Sequence, residues 1–258
     1  MDRTPSRRHH GPTMETMQTT IAIGGVFVAA GAVKGITGMG LPTVAVSLLG
    51  LWMAPVQAAA LLVAPSLATN VAQCRGPHAR RLAAMLWPAW VALFVFTVLA
   101  PEPSGTDAPA IARRLLGVVL VAYGVFGLWR PVMANLSSRG PWLTAAAGAA
   151  TGLVSAMSAV FVIPLVPFLQ TLRLEKGELV QALGLSFTVA TLALAVRVQA
   201  TGGWLPMLSW EAAWALAAAL GGMALGTQLR ELLSGPAFQR SLFITFIALG
   251  LANLLKGA

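Results

Sequence analysis

The chain has 258 residues, of which 57% are hydrophobic and only 10% charged, with a mean hydropathy of +0.77. A composition this apolar cannot clothe a water-soluble globule and places the chain in a membrane. The formal charge of +9 would suggest nucleic acid for a soluble protein, but here the basic residues gather in short loops and at helix ends, where they report membrane orientation.

Residues 1–18 precede the first apolar run and carry Arg3, Arg7, Arg8, His9 and His10. They look like the charged leader of a signal peptide. Cleavage would destroy the glycine pattern that continues the run, so a disordered tail is expected. Read with a window of about 19 residues, apolar stretches fall at 19–53, 55–73, 82–100, 111–130, 141–171, 178–200, 204–228 and 237–255. A single helical span needs about 20 residues, so the stretches 19–53 and 141–171 must tilt steeply, break or double back. The period-two alternation of a membrane β-barrel is absent.

The glycines sit where breaks are needed. The first long stretch contains Gly31-x3-Gly35-x2-Gly38-x-Gly40, and the second a weaker copy, Gly148-x3-Gly152-x2-Ser155-x-Met157-Ser158, with Pro164 beyond. A shift of 117 residues lays Gly31 on Gly148, Lys34 on Thr151, Gly35 on Gly152 and Gly38 on Ser155. Gln57-Ala58 and Gln181-Ala182 open the following helices after a further shift of seven. The fold class expected is all-α: a polytopic membrane helical bundle of about eight transmembrane segments in two repeated halves, 19–138 and 139–258, with broken first helices. Unwound backbone is tolerated at membrane depth only where protein or a water-filled cavity surrounds it, so paired breaks point to a transporter binding site.

Arg75, Arg80 and Arg81 in one loop, and Arg130 and Arg139 in another, mark both loops as cytoplasmic, leaving the loop with Glu102 and Asp107 outside. With eight simple crossings, both termini, including Lys256, lie inside. If the long segments are hairpins that double back, each half has three crossings, the halves are inverted and the termini move outside. Counting Lys and Arg favours the first arrangement, and both are kept.

The glycine pattern occurring once per half, followed by a proline, resembles the sulfite exporter TauE/SafE family of membrane anion transporters, over about residues 19–256. The closer copy is Gly31, Gly35, Thr37, Gly38, Met39 and Gly40; the second keeps Gly148, Gly152 and Pro164 but has Ser155, Met157, Ser158 and Ala159 in place of inner glycines. The resemblance implies a multi-pass protein of a bacterial inner membrane. It also implies transport of small sulfur-containing or organic anions such as sulfite, sulfoacetate or other organosulfonates.

The residues fit that chemistry. Free N–H groups at a helix start, aided by the helix dipole, are ready donors for an anion. Helices starting after Gly38 to Gly40 and after Ser155 to Ala159 would face one another near the midplane. Lys34 is a cation at membrane depth with no nearby carboxylate in sequence; it either attracts the anion or snorkels or pairs with backbone carbonyls. Polar residues on the second helix of each half form a candidate lining: Gln57, Ser66, Thr69, Asn70 and Gln73, and Gln181, Ser186, Thr188 and Thr191. Plain interhelical hydrogen bonding is the competing role. Arg197 is read as a gate or an interfacial snorkelling residue. Glu211 is either a protonatable carboxyl coupling transport to protons or an interfacial glutamate. Pro42, Pro55, Pro65 and Pro164 shape helix starts and kinks. Trp87, Trp90, Trp129, Trp142, Trp204, Trp210 and Trp214 form an interfacial belt.

Other classes find no support in the chain. It has no G-x4-G-K-[ST] loop to power transport with ATP and no H-E-x-x-H motif. No Ser-His or Cys-His pair lies within the spans for an intramembrane enzyme. The single Cys74 rules out an internal disulfide, and no Cys/His cluster suggests a metal. No cofactor or nucleic acid is expected; the partners are the lipid bilayer, a small anion and a coupling ion, with a homodimer as the candidate assembly. A permease for another small solute or a metal ion is the alternative, although cations call for interior carboxylates. Deletion of residues 2–16 is expected to leave expression and transport unchanged, measured by membrane yield and flux; lost transport would contradict the reading of a dispensable tail.

Overall fold

The computed structural model describes residues 14–101, 106–129, 140–202, 209–233 and 235–257. The sequence readings on Arg3, Arg7, Arg8, His9, His10, Glu102, Arg130, Arg139 and Trp204 lie outside these. Among the described residues all regular structure is helical. The first long stretch is two helices, α1 (Met14–Thr37) and α2 (Leu41–Leu49). It is followed by α3 (Pro55–Cys74), α4 (Ala79–Leu99) and α5 (Ala108–Trp129). The second is likewise two helices, α6 (Pro141–Ser158) and α7 (Leu165–Thr171), before α8 (Lys176–Gly202), α9 (Trp210–Gln228), α10 (Arg230–Leu233) and α11 (Pro236–Lys256). Prolines open α3, α6 and α11, where the missing N–H costs nothing.

Five described helical segments are long and apolar enough to cross a membrane: Met17–Thr37, Ala79–Leu99, Ala108–Trp129, Lys176–Ala200 and Pro236–Lys256. Burial of apolar area adds little between helices in lipid, so close backbone approach through glycine carries much of the packing. A side chain at Gly31 would collide with the backbone of Ala219, and one at Gly35 with that of Met223. Reciprocally, Gly222 meets Val28 and Gly226 meets Ala32. These contacts, with Trp214 Nε1 donating to Thr20 O at 3.1 Å, make α1 and α9 run side by side in the same direction. α4 and α6 do the same, with Gly148 against Ala89 and Gly152 against Leu93. α5 and α11 are antiparallel, Gly117 facing Gly250 and Gly124 facing Phe243. α3 and α8 are antiparallel too, for Gly184 meets Gln73 near the end of α3.

These directions locate every helix end. The starts of α4, α8 and α11 and the ends of α3, α5 and α9 share a basic end with Arg75, Arg80, Arg81, Arg173, Lys176, Arg230 and Arg240. α1 runs from the opposite end toward the basic one, and α2 turns back. Its last turn reaches the end of α11, where Asn253 Nδ2 donates to Ser47 O at 3.2 Å and Lys256 Nζ to Leu51 O at 3.0 Å. α6 and α7 likewise start from and return to the basic end. Of the two arrangements kept from the sequence, simple crossing is corrected and the other holds: both long segments double back. The cause is the turn at each interruption, which hydropathy cannot reveal because an apolar run reads the same whether the chain continues or reverses. The returning segments are buried; in the second, Val160, Phe161 and Val162 are non-helical yet at most 1% exposed, with the Phe161 ring 5.3 Å from that of Phe187. Gly148→Val is expected to lower the melting temperature in detergent by a cost of about 1–3 kcal/mol, whereas Gly221→Ala, whose added carbon meets nothing within 4 Å, leaves it unchanged.

Candidate functional site

The first interruption is made by two left-handed glycines, Gly38 (φ +82) and Gly40 (φ +98), a conformation that costs other residues about 1–2 kcal/mol. Carbonyls freed where α1 ends find new partners. Gly38 N donates to Lys34 O at 2.8 Å. Arg230 clamps Gly35 O through Nε (3.0 Å) and Nη2 (2.7 Å), and Gln73 Nε2 donates to Gly38 O. The Thr37 hydroxyl lies 2.8 Å from Val33 O and 2.7 Å from Met39 O, and accepts from Met39 N at 3.2 Å. At the other side of the break, α2 begins with Pro42 in its first turn and no side chain capping its N–H groups.

The second interruption lies one turn later than its superposition on the first suggests. Ser155 is helical; α6 continues to Ser158, and Ala159 (φ +55) takes the left-handed turn. Ser158 Oγ donates to Val154 O at 2.7 Å and accepts from Val160 N at 3.2 Å, the role Thr37 has in the first. Ala159 N bonds Ser155 O at 2.8 Å, as Gly38 N bonds Lys34 O. The glycine spacing records helix packing, while the left-handed residue decides where the helix stops.

Between α1 and α3 lies a closed polar cluster. Lys34 is 3% exposed; its Nζ donates to Thr69 Oγ1 at 3.0 Å and to Asn70 Oδ1. Thr69 holds its own hydrogen toward Pro65 O at 2.7 Å, using the hydroxyl beside the helix proline as a local bridge. The ion pairs among the described residues both involve Glu178, so the buried Lys34 Nζ is held, among those residues, by neutral oxygens. Ser66 and Asn70 are each 1% exposed, and Ser66 Oγ, Asn70 Nδ2 and Gln73 Oε1 have no partner among the described residues. The buried Ser155 Oγ also has none.

Two cavities lie toward opposite ends. One of about 500 Å³ at the basic end is lined by Thr37, Met39 and Gly40, by Gln170 of α7, by Gln239 of α11, and by Tyr123 with neighbouring phenylalanines. Tyr123 Oη donates to Met39 Sδ at 3.6 Å. The other, of about 200 Å³ at the opposite end, is lined by Met157, Ser158 and Ala159, the start of α3, and Arg197. The two interruptions thus face separate cavities, and Lys34 lines neither.

The structure gives several of the candidate residues particular neighbours. Gln57 is exposed in the first turn of α3, too near the helix end to line an interior site. Gln181 is a clamp: Nε2 donates to Cys74 O and Gly76 O, each at 3.0 Å, and Oε1 accepts from His78 N at 3.1 Å. Ser186 accepts from Trp90 Nε1 at 2.8 Å, which takes Trp90 out of the interfacial belt. Arg197 does not snorkel; it is 7% exposed and donates to Thr97 O and Ala100 O, at 3.0 and 2.7 Å, where α4 ends. Glu211 sits in the first turn of α9 behind the Ser209 cap, where a carboxylate favours the helix dipole. Tyr123, Gln170, Gln239 and Arg230 were not singled out from sequence, nor was Glu178, 5% exposed and 2.5 Å from Arg81. Tyr123 is the one tyrosine in the chain, the only signal among them.

A family model described as sulfite exporter TauE/SafE matches residues 23–253. No curated protein and no solved structure matches the chain. Gln181→Ala is expected to lower the melting temperature, since Cys74 O, Gly76 O and His78 N lose their partner at about 1 kcal/mol each, and to leave anion-dependent stabilisation intact. An unchanged melt with lost anion response would reassign Gln181 to the binding site.

Proposed function

Because the chain belongs to the sulfite exporter TauE/SafE family, a family of membrane anion transporters, we propose that it is a secondary transporter of small sulfur-containing or organic anions such as sulfite, sulfoacetate or other organosulfonates. The observation that carries the reading is Lys34: an ammonium at membrane depth with no carboxylate partner among the described residues. A buried charge of this kind is costly by several kcal/mol unless compensated, and an entering anion compensates it. Thr37 and the glycines Gly38 and Gly40 shape the first break. The uncapped start of α2 supplies backbone donors, and Met39 faces the larger cavity. Ser155, Met157 and Ser158 shape the second break.

Alternating access is supported by the arrangement of the halves. The helix opening each half packs on a helix of the other, α1 on α9 and α6 on α4, and each break borders a cavity toward a different end. Such reciprocity is what an inverted duplication produces. Cytoplasmic placement of the basic end follows the positive-inside rule and puts the start of α1 and the end of α11 outside, in a bacterial inner membrane. Arg197, holding the end of α4 beside the smaller cavity, serves as a gate residue. Drive comes from the anion gradient or from protons.

Flux of radiolabelled sulfite and sulfonates into proteoliposomes tests the reading. Lys34→Ala is expected to reduce flux by at least about tenfold, the loss of one charged contact, while Arg130→Ala retains it. Gly38→Val should block flux with the protein still inserted. Equal effects of Lys34→Ala and Arg130→Ala, or no flux of any small anion by folded protein, would contradict the proposal.

A further inference from the structure

The sharpest chemical mismatch in the molecule lies on one face of α3, around Lys34. Its ammonium carries three hydrogens, and the described residues provide two acceptors, Thr69 Oγ1 and Asn70 Oδ1. Because Asn70 spends its oxygen on Lys34, its Nδ2 points away from that bond carrying two hydrogens, and it finds no acceptor. Ser66 stands four residues earlier, on the same helical face and about 5–6 Å away between Cβ atoms. Its hydroxyl is also unpartnered. Ser66, Asn70 and Lys34 are at most 3% exposed, and buried polar groups are otherwise almost always paired. What remains unsatisfied within one turn of α3 is the Asn70 amide and the Ser66 hydroxyl beside the Lys34 nitrogen, with the one unpaired acceptor nearby, Gln73 Oε1, set toward the helix end.

We infer that Lys34, Asn70 and Ser66 form a closed oxyanion subsite that takes the compact head of the transported anion, a sulfite, sulfonate or carboxylate group with two or three terminal oxygens. This rests on the anion-transport reading and specifies its recognition chemistry. Charge-assisted bonds from Lys34 and the Asn70 amide supply most of the affinity, and Ser66 adds the third contact. Thr69 holds the ammonium in place without facing the anion, since its hydrogen is committed to Pro65 O. The subsite is closed in the present conformation by the first break, whose Gly38 carbonyl is tied to Gln73 on the same helix. Entry therefore requires α1 and α3 to part at the Gly38–Gln73 contact, which places the head group on the path between the break and the bundle core.

The decisive variant is Asn70→Asp, which puts a carboxylate where the anion belongs. The full chain in nanodiscs would be melted with sulfite, methanesulfonate, acetate or chloride at matched ionic strength, and flux measured in parallel. The expected result is stabilisation of the wild type by one or more of the oxyanions over chloride. In Asn70→Asp that response weakens by at least about tenfold, with an anion-free melt at or above wild type because the new carboxylate pairs with Lys34. Ser66→Ala is expected to weaken the response several-fold with an unchanged melt, and serves if Asn70→Asp fails to fold. Wild-type response to an oxyanion retained in both variants overturns the subsite but leaves anion transport standing. Wild-type protein with neither oxyanion response nor flux overturns the transport reading itself.

Discussion

A chain interrupted at membrane depth must find new partners for the carbonyls its helices release, and the structure is organised around meeting that demand twice. At the first interruption the partners come from four places: Gly38 N, the Thr37 hydroxyl, Gln73 of α3 and Arg230 of α10. At the second they are more local, from Ser158 and Ala159. Without such partners each exposed carbonyl would cost several kcal/mol in lipid, and a continuous helix would win. Their presence lets the chain reverse, and the reversal returns α2 and α7 to the ends from which α1 and α6 began.

The reversals in turn dictate how the halves meet. Helices that start at opposite ends can only bury their glycine faces by pairing across the halves, which is why α1 lies on α9 and α6 on α4, with backbones close enough that no side chain fits at Gly31, Gly148 or Gly222. Polar residues then fall into two kinds. Gln181 closes the end of a neighbouring helix and has its bonding capacity spent on backbone. Asn70 and Ser66 have capacity left over, and Lys34 Nζ has two acceptors for its hydrogens among the described residues. That difference, invisible from residue type alone, separates scaffold from site.

Much of the fold was legible because apolar runs and glycines are local signals. The stretch 55–73 became Pro55–Cys74, and the break fell at Gly38 to Gly40. Legibility ended where a partner distant in sequence decides the outcome. Nothing near Arg197 in sequence announces Thr97 or Ala100, and Gln57 and Gln181 read alike although one is exposed and the other a clamp. The end of α6 was missed by a turn because Ala159, not a glycine, adopts the left-handed backbone. Lys34 stood out early, being charged within an apolar run, but its neutral partners and the unspent donors beside them emerge only when α1 lies against α3.

The double reversal is the claim from which the rest follows, and side-specific labelling tests it directly. In a Cys74→Ser background, Arg75→Cys and Arg173→Cys would be probed with a membrane-impermeant maleimide in right-side-out and inverted vesicles. Both positions are exposed, at the α3–α4 turn and between α7 and α8. Doubling back by α6 and α7 puts them on the same face, labelled in the same vesicle orientation, with the exposed Lys256→Cys labelled from the other. Labelling of Arg75→Cys and Arg173→Cys from opposite sides would mean that the second long segment crosses outright, and would contradict the account.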